Sequence, residues 1–122
     1  MKAIFVEMSW FTKRLPGRLD DAEYRDFQQK LIANPDIGDV MPGCGGLRKA
    51  RWVQSGRGKG KRSGVRIIYL AIPEASLIYL VDIYGKDEKD DLSANEKSEL
   101  AAIMKELKKR AIATFRQSRG AK

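Results

Sequence analysis

The apolar residues change period along the chain, and each change marks an element. In AIFVEMSWF, residues 3–11, they alternate loosely among β-branched and aromatic side chains, which predicts a first strand over about 2–7. RLDDAEYRDFQQKLIANP switches to helical spacing: Tyr24, Phe27, Leu31 and Ile32 fall on one face, Asp20 or Asp21 can cap the start, and Pro35 stops the helix. DVMPGCGG then breaks the pattern with Pro42 and three glycines, as a tight loop does. Three β segments follow, LRKARWV, GVRIIYLAIP and SLIYLVDIY, the last two joined by a short PEA connection. Both read as nearly continuous apolar runs, the pattern of central strands covered on both faces. The final element opens with Ser93 and Glu96 in a capping-box spacing and keeps a helical stripe of Leu100, Ile103, Met104, Leu107 and Ala111.

The order β-α-β-β-β-α predicts an α+β fold, a small, mostly antiparallel sheet with helices packed on it. Residues 1–122 form one domain, with about 117–122 expected as a disordered, basic tail. Within LRKARWV, Leu47, Lys49, Arg51 and Val53 share one face and Arg48, Ala50 and Trp52 the other; which of the two is buried stays open.

Composition narrows the function classes. No apolar run approaches the 18 or so residues of a membrane span, and Glu7 and Ser9 interrupt the N-terminal segment too early for a signal peptide. The single cysteine, Cys44, permits no intrachain disulfide and suits a reducing cytoplasm. The absence of histidine removes the usual acid–base group and any Ser-His or Cys-His nucleophile pair. With one cysteine and no histidine, structural zinc is excluded. Asp87, Glu88, Asp90 and Asp91 crowd a helix start, where they suit the macrodipole better than a metal. No metal or cofactor is expected.

Charge changes the picture most. The net charge is +8, and between Arg48 and Arg66 stand eight cations with no acidic residue; the rest of the chain carries 16 of each sign. Such a field attracts polyanions, nucleic acid first. A solubilising run is the bland alternative, but solubilising surfaces mix both signs. Arg57, Lys59, Lys61 and Arg62 fall on the long glycine-rich connection between two antiparallel strands, and with Arg48 and Lys89 they are the expected RNA- or ribosome-binding cations. Lys49 and Arg51 on the ascending strand and Arg66 on the descending one converge across the hairpin, and Lys86 joins them if the next strand pairs alongside. Cleavage of RNA by its own 2′-OH needs a base, an acid and charge stabilisation. Arginine matches phosphate oxygens bidentately, and a lysine whose pKa is lowered by neighbouring cations and burial can act as base. These four are the catalytic candidates; the alternative is phosphate binding without chemistry. Trp10, Trp52 and Tyr69 can stack on bases or belong to the core.

The stretch GDVMPGCGGLRKARW…GKGKRSGVRIIYLAI…IYLVDIYGKDEKDDLSANEKSEL resembles the RelE/HigB superfamily of type II toxin–antitoxin toxins, closest to its HigB-like branch. The resemblance covers most of the chain and is most specific over residues 45–92. It implies a microbial RNase-like fold, cleavage of mRNA in the ribosomal A site and neutralisation by a cognate antitoxin. The paired strand lysines of RelE-type members fall on Lys49 and Arg51, and their strand arginine on Arg66. Their loop arginine position holds Asp87, with Lys86 beside it, and their tyrosine position falls at or near Ser93. The general acid is therefore open among Lys86, Lys89, Tyr84 and the ribosome itself. The expected function is a ribosome-dependent mRNA endonuclease whose partners are mRNA, the ribosome and an antitoxin. Composition alone supports nucleic-acid binding, so a non-catalytic RNA-binding module stands as the alternative, and an interaction protein that meets an acidic partner as a third.

Overall fold

The computed structural model describes residues 1–53, 64–86, 88 and 93–120. In chain order they form β1 (Ile4–Glu7), α1 (Ser9–Arg14), α2 (Asp21–Ala33), β2 (Asp39–Val40), β3 (Arg48–Trp52), β4 (Val65–Ile72), β5 (Leu77–Gly85) and α3 (Ala94–Gly120). The sheet order is β1-β5-β4-β3-β2, with β1 parallel to β5 and every other pair antiparallel. This is the expected α+β architecture, a five-stranded mixed sheet with helices packed on it. No described helix is long and apolar enough to cross a membrane.

Strand alternation divides the core in two. Val65, Ile67 and Tyr69 of β4 turn to one face, where Phe11 of α1 and Phe27 and Leu31 of α2 cover them. Ile68, Leu70 and Ile72 turn to the other, against Met104 and Ala111 of α3 and Met41, Cys44 and Leu47 from the glycine loop. The apolar runs of β4 and β5 are continuous because both faces are covered. β5 carries one extra residue: Ile68 pairs with Asp82 and Tyr69 with Leu80, so Val81 bulges.

Local signals place the helices. Asp20 caps α2 through a reciprocal box, its carboxylate accepting from Glu23 N at 2.8 Å while the Glu23 carboxylate accepts from Asp20 N at 2.9 Å. Ser93 and Glu96 make the same exchange at α3, at 3.1 and 2.8 Å. α3 continues through Gly120, beyond the expected start of the tail at about 117; Arg119 stands 5.5 Å from the Phe115 ring centroid, a contact that favours one more helical turn.

Two elements differ from the sequence expectation. α1 follows β1 after a single residue, held by Phe11, which is fully buried, and by Thr12, whose hydroxyl donates to the Glu7 carboxylate at 2.7 Å. β2 lies inside the segment read as loop: Asp39 and Val40 pair with Lys49 and Arg48, so a two-residue strand exists only because β3 offers it an edge. Tyr69 anchors this corner from the core. Its hydroxyl accepts from Gly38 N at 2.9 Å and donates to Pro35 O at 2.6 Å. Tyr69→Phe strands both backbone groups, and the expected cost is about 2–3 kcal/mol at unchanged m value in urea unfolding. A loss below about 0.5 kcal/mol would mean that the corner re-satisfies itself without the hydroxyl.

Candidate nucleic-acid interface

Antiparallel registry decides which cations meet. Arg51 is the Cα partner of Arg66, and Arg66 is the partner of Tyr84 on its other side. Directly opposed residues project to the same face with Cα atoms about 5 Å apart, so Arg51, Arg66 and Tyr84 form one row across three strands. Lys49 stands one row further along, opposite Ile68, on the same face as Arg51. This is the α3 side of the sheet, shown by Leu47, Ile68 and Tyr84 in the α3 core. Arg51 is exposed, while Lys49 and Arg66 are half-buried.

Two guanidinium groups facing each other across a strand pair repel, and like charges in that position destabilise a sheet. Among the described residues no carboxylate pairs with Arg51 or Arg66. The two described carboxylates of β5 and the residues just after it are engaged elsewhere. Asp82, at the bulge, lies 3.5 Å from Arg14 of α1, and burial raises its pKa against the opposing pull of the Ile83 N–H and Arg14. Glu88 accepts from Gly85 N at 2.6 Å and lies 3.0 Å from Arg18; that backbone N–H first, and Arg18 second, hold its carboxyl below the usual range.

Lys86 reaches the same end of the sheet. It follows β5 by one residue, and its backbone N–H donates to Gly64 O at 3.3 Å, next to the start of β4. Its side chain runs beside Gly64, where a Cβ would meet Lys86 Cδ at 3.9 Å. β5 thus pairs beside the basic hairpin, and the condition for Lys86 to join the strand cations is met. Tyr84 is only 4% exposed.

Arg48 is set apart. It occupies the opposite face, donates to Gly38 O at 2.8 Å and lies 3.4 Å from the Asp36 carboxylate, so it ties the α2–β2 loop to the sheet. That geometry removes it from the surface formed by Lys49, Arg51 and Arg66. Arg57, Lys59, Lys61, Arg62 and Lys89, together with Asp87, lie outside the described residues. The connection to which the first four belong, residues 53–64, joins β3 to β4 at the end where Arg51 and Arg66 stand, since Trp52 and Val65 are the last paired residues.

The aromatic residues divide as well. Tyr69 is fully buried, and Trp52 packs edge-on against Phe27 at 5.5 Å between centroids, so both belong to the core. Trp10, on α1, is 52% exposed. Among the described residues no three His, Cys, Asp or Glu side chains come together as a metal site. Cys44 is buried in the α3 core with its thiol toward Pro42 O. Sequence reasoning did not place Tyr84 in the arginine row; only the β4–β5 register does that.

The interface is therefore an open, cationic strip of sheet suited to bidentate contact with a phosphate chain. A scan against known protein families finds no family model that matches the chain.

Proposed function

We propose that the protein is a metal-independent endoribonuclease, the toxin of a type II toxin–antitoxin pair, which cuts mRNA on the ribosome in the cytoplasm and is neutralised by a cognate antitoxin. The observation that carries this reading is the opposed pair Arg51 and Arg66 with Lys49 on the same face and Lys86 at its mouth. A sheet that tolerates such repulsion has its charges placed for an anion, and two guanidinium forks one strand apart match a phosphodiester whose negative charge grows as the 2′-oxygen attacks. Arg66, central in the sheet and half-buried, stabilises that charge. Lys49 and Arg51 hold the phosphate, and Lys49 is the side chain of the two that can accept the 2′-OH proton. Lys86 is better sited than Tyr84 to protonate the leaving 5′-oxygen, because Lys86 is exposed and Tyr84 is covered. The resemblance to RelE/HigB toxins supports the ribosomal substrate and the antitoxin; charge alone supports RNA.

The burial of Tyr84 favours one alternative, a non-catalytic RNA-binding module in which the arginine row only grips phosphate. Mapping of mRNA 5′ and 3′ ends in a translating extract separates the two. Discrete new ends with the native protein, absent when the same mRNA is incubated without ribosomes, are expected. Salt-sensitive co-sedimentation with ribosomes and no new ends would leave only the binding module.

A further inference from the structure

A second cationic surface lies on α3, hidden in the sequence by an even charge balance outside residues 48–66. At 3.6 residues per turn, Lys105, Lys108, Lys109, Ile112, Arg116 and Arg119 fall within an arc of about 100°. The stripe runs about 21 Å along the helix. Lys105, Lys109, Arg116 and Arg119 are exposed, and Lys108 and Ile112 are half-buried. No acidic residue falls in the arc. Glu106, the one carboxylate in this half of α3, lies outside it and is held by Arg110 at 3.1 Å.

The helix macrodipole accounts for cations in the last turn alone, and so for Arg119 and Arg116 at most. Lys105, Lys108 and Lys109 stand three turns or more upstream, where they repel one another at i,i+3 and i,i+4 spacing and only Glu106, three residues before Lys109 and already held by Arg110, offsets them. The stripe is also the wrong surface for an amphipathic protein segment, which would seek apolar residues beside the charge. Met104, Leu107 and Ala111 are turned into or against the core, and Ile112, inside the stripe, packs against it too. Ile103, the exposed large apolar residue of α3, lies on the opposite side of the helix from the stripe. What suits a straight row of cations with no acidic residue in its arc is a chain of regularly spaced anions. A nucleic-acid strand offers one every 3.4 Å along its helix axis.

We propose that the C-terminal half of α3 is a second nucleic-acid contact, which binds a sugar–phosphate backbone without reading bases. It extends the proposed nucleic-acid function to a surface that shares no residue with the Arg51–Arg66 strip, and it rests on that reading in taking the polyanion to be nucleic acid. The C-terminal half of α3, which carries the stripe, shares a groove with the turn at 73–75 through Leu107, Ala111 and Phe115 beside Ala75, while Arg66 stands at the other end of β4. Arg66 and Ile72 stand six steps apart along the strand, about 20 Å. Two separated contacts on the α3 side of the sheet fit a large folded RNA rather than a short single strand.

The test measures binding of a short labelled RNA duplex by fluorescence anisotropy between 50 and 200 mM salt. Four proteins are compared: the native chain, the quadruple variant K105Q/K109Q/R116Q/R119Q, the strip variant R51Q/R66Q, and the charge-neutral control E106Q/R110Q. All substituted stripe positions are exposed, and circular dichroism checks that α3 remains folded. Each phosphate contact contributes about 0.9 to the slope of log K against log salt, so the quadruple variant is expected to lose about 2 to 3.6 from that slope while the control keeps it. Loss in the quadruple variant with none in R51Q/R66Q upholds the stripe and counts against the strip. Loss in R51Q/R66Q alone overturns the stripe and leaves the proposed function standing. Native protein that ignores the duplex but binds polyglutamate at the same salt would also overturn it, and assign the stripe to an acidic protein.

Discussion

Arg66→Ala is expected to lower ribosome-dependent mRNA cleavage by about 100- to 1,000-fold, the usual loss when one preorganised donor to a developing oxyanion is removed. Arg66 stands between Arg51 and Tyr84 at the centre of the strip and is half-buried, so its field is less screened than that of an exposed cation. The measurement is the initial rate of new 5′ ends in a translating extract, with ribosome affinity followed in parallel. An enzyme loses turnover and keeps most of its affinity; a binding module loses affinity and about one phosphate contact of salt slope together. Arg66→Lys sharpens the result. It keeps the charge and loses the bidentate fork, so a partial loss of rate points to geometry and full retention to charge alone. Equal falls in rate and affinity for both variants would sink the catalytic assignment.

Gly45→Ala should be the most damaging small substitution for stability. Gly45 has φ +70°, and a Cβ there would come 2.7 Å from Ala101 O and 3.0 Å from Met104 Cβ, where the glycine loop passes under α3. The left-handed conformation costs a residue with a Cβ about 1–2 kcal/mol. Forcing α3 away from the loop adds about 1–3 kcal/mol of overpacking. Gly43 is the internal reference: it shares the conformation, at φ +72°, but its Cβ would meet nothing within 4 Å. Gly43→Ala should therefore lose only the conformational part. Urea unfolding is expected to separate the two variants by about 2 kcal/mol. Equal losses would mean that α3 moves aside freely, and the loop would then have no role in setting the helix on the sheet.

The close approach also bears on function. Met41, Cys44 and Leu47 join Met104 in one core, so the PGCGG loop holds α3 on the face that carries Lys49, Arg51 and Arg66. The open end of that face is left to the cations. Nothing in the spacing of PGCGG announces this. Its glycines predict a break, and only the approach to Ala101 sets the second of them apart from the first.

Much of the fold was legible because its signals are local. The capping residues Asp20 and Ser93, the stop before Pro35 and the apolar runs of β4 and β5 each arise within a few residues and survive in the structure. Of the α3 stripe, Leu100, Met104, Leu107 and Ala111 pack in or against the core, whereas Ile103 is 54% exposed. The parity of LRKARWV already placed Lys49 and Arg51 on one face. What parity does not supply is the partner strand's register, and a connection as long as residues 53–64 does not impose one. Register follows burial: Ala50 and Trp52 pack with the α2 core and Leu47 with the α3 core, and that brings Arg51 opposite Arg66. Arg48 shows the same limit. One residue from Lys49 in sequence, it serves the other face and a loop carboxylate.

By itself the sequence determined the α+β class, most helix and strand positions, the absence of histidine chemistry and the concentration of positive charge around one hairpin. These follow from residue type and short-range periodicity. The tertiary structure decided the parallel placement of β1 beside β5, the existence of α1 and β2, the row of Arg51, Arg66 and Tyr84, and the withdrawal of Arg48. Each of those depends on which distant segment fills a face or an edge, and that choice is made by packing two cores on one sheet.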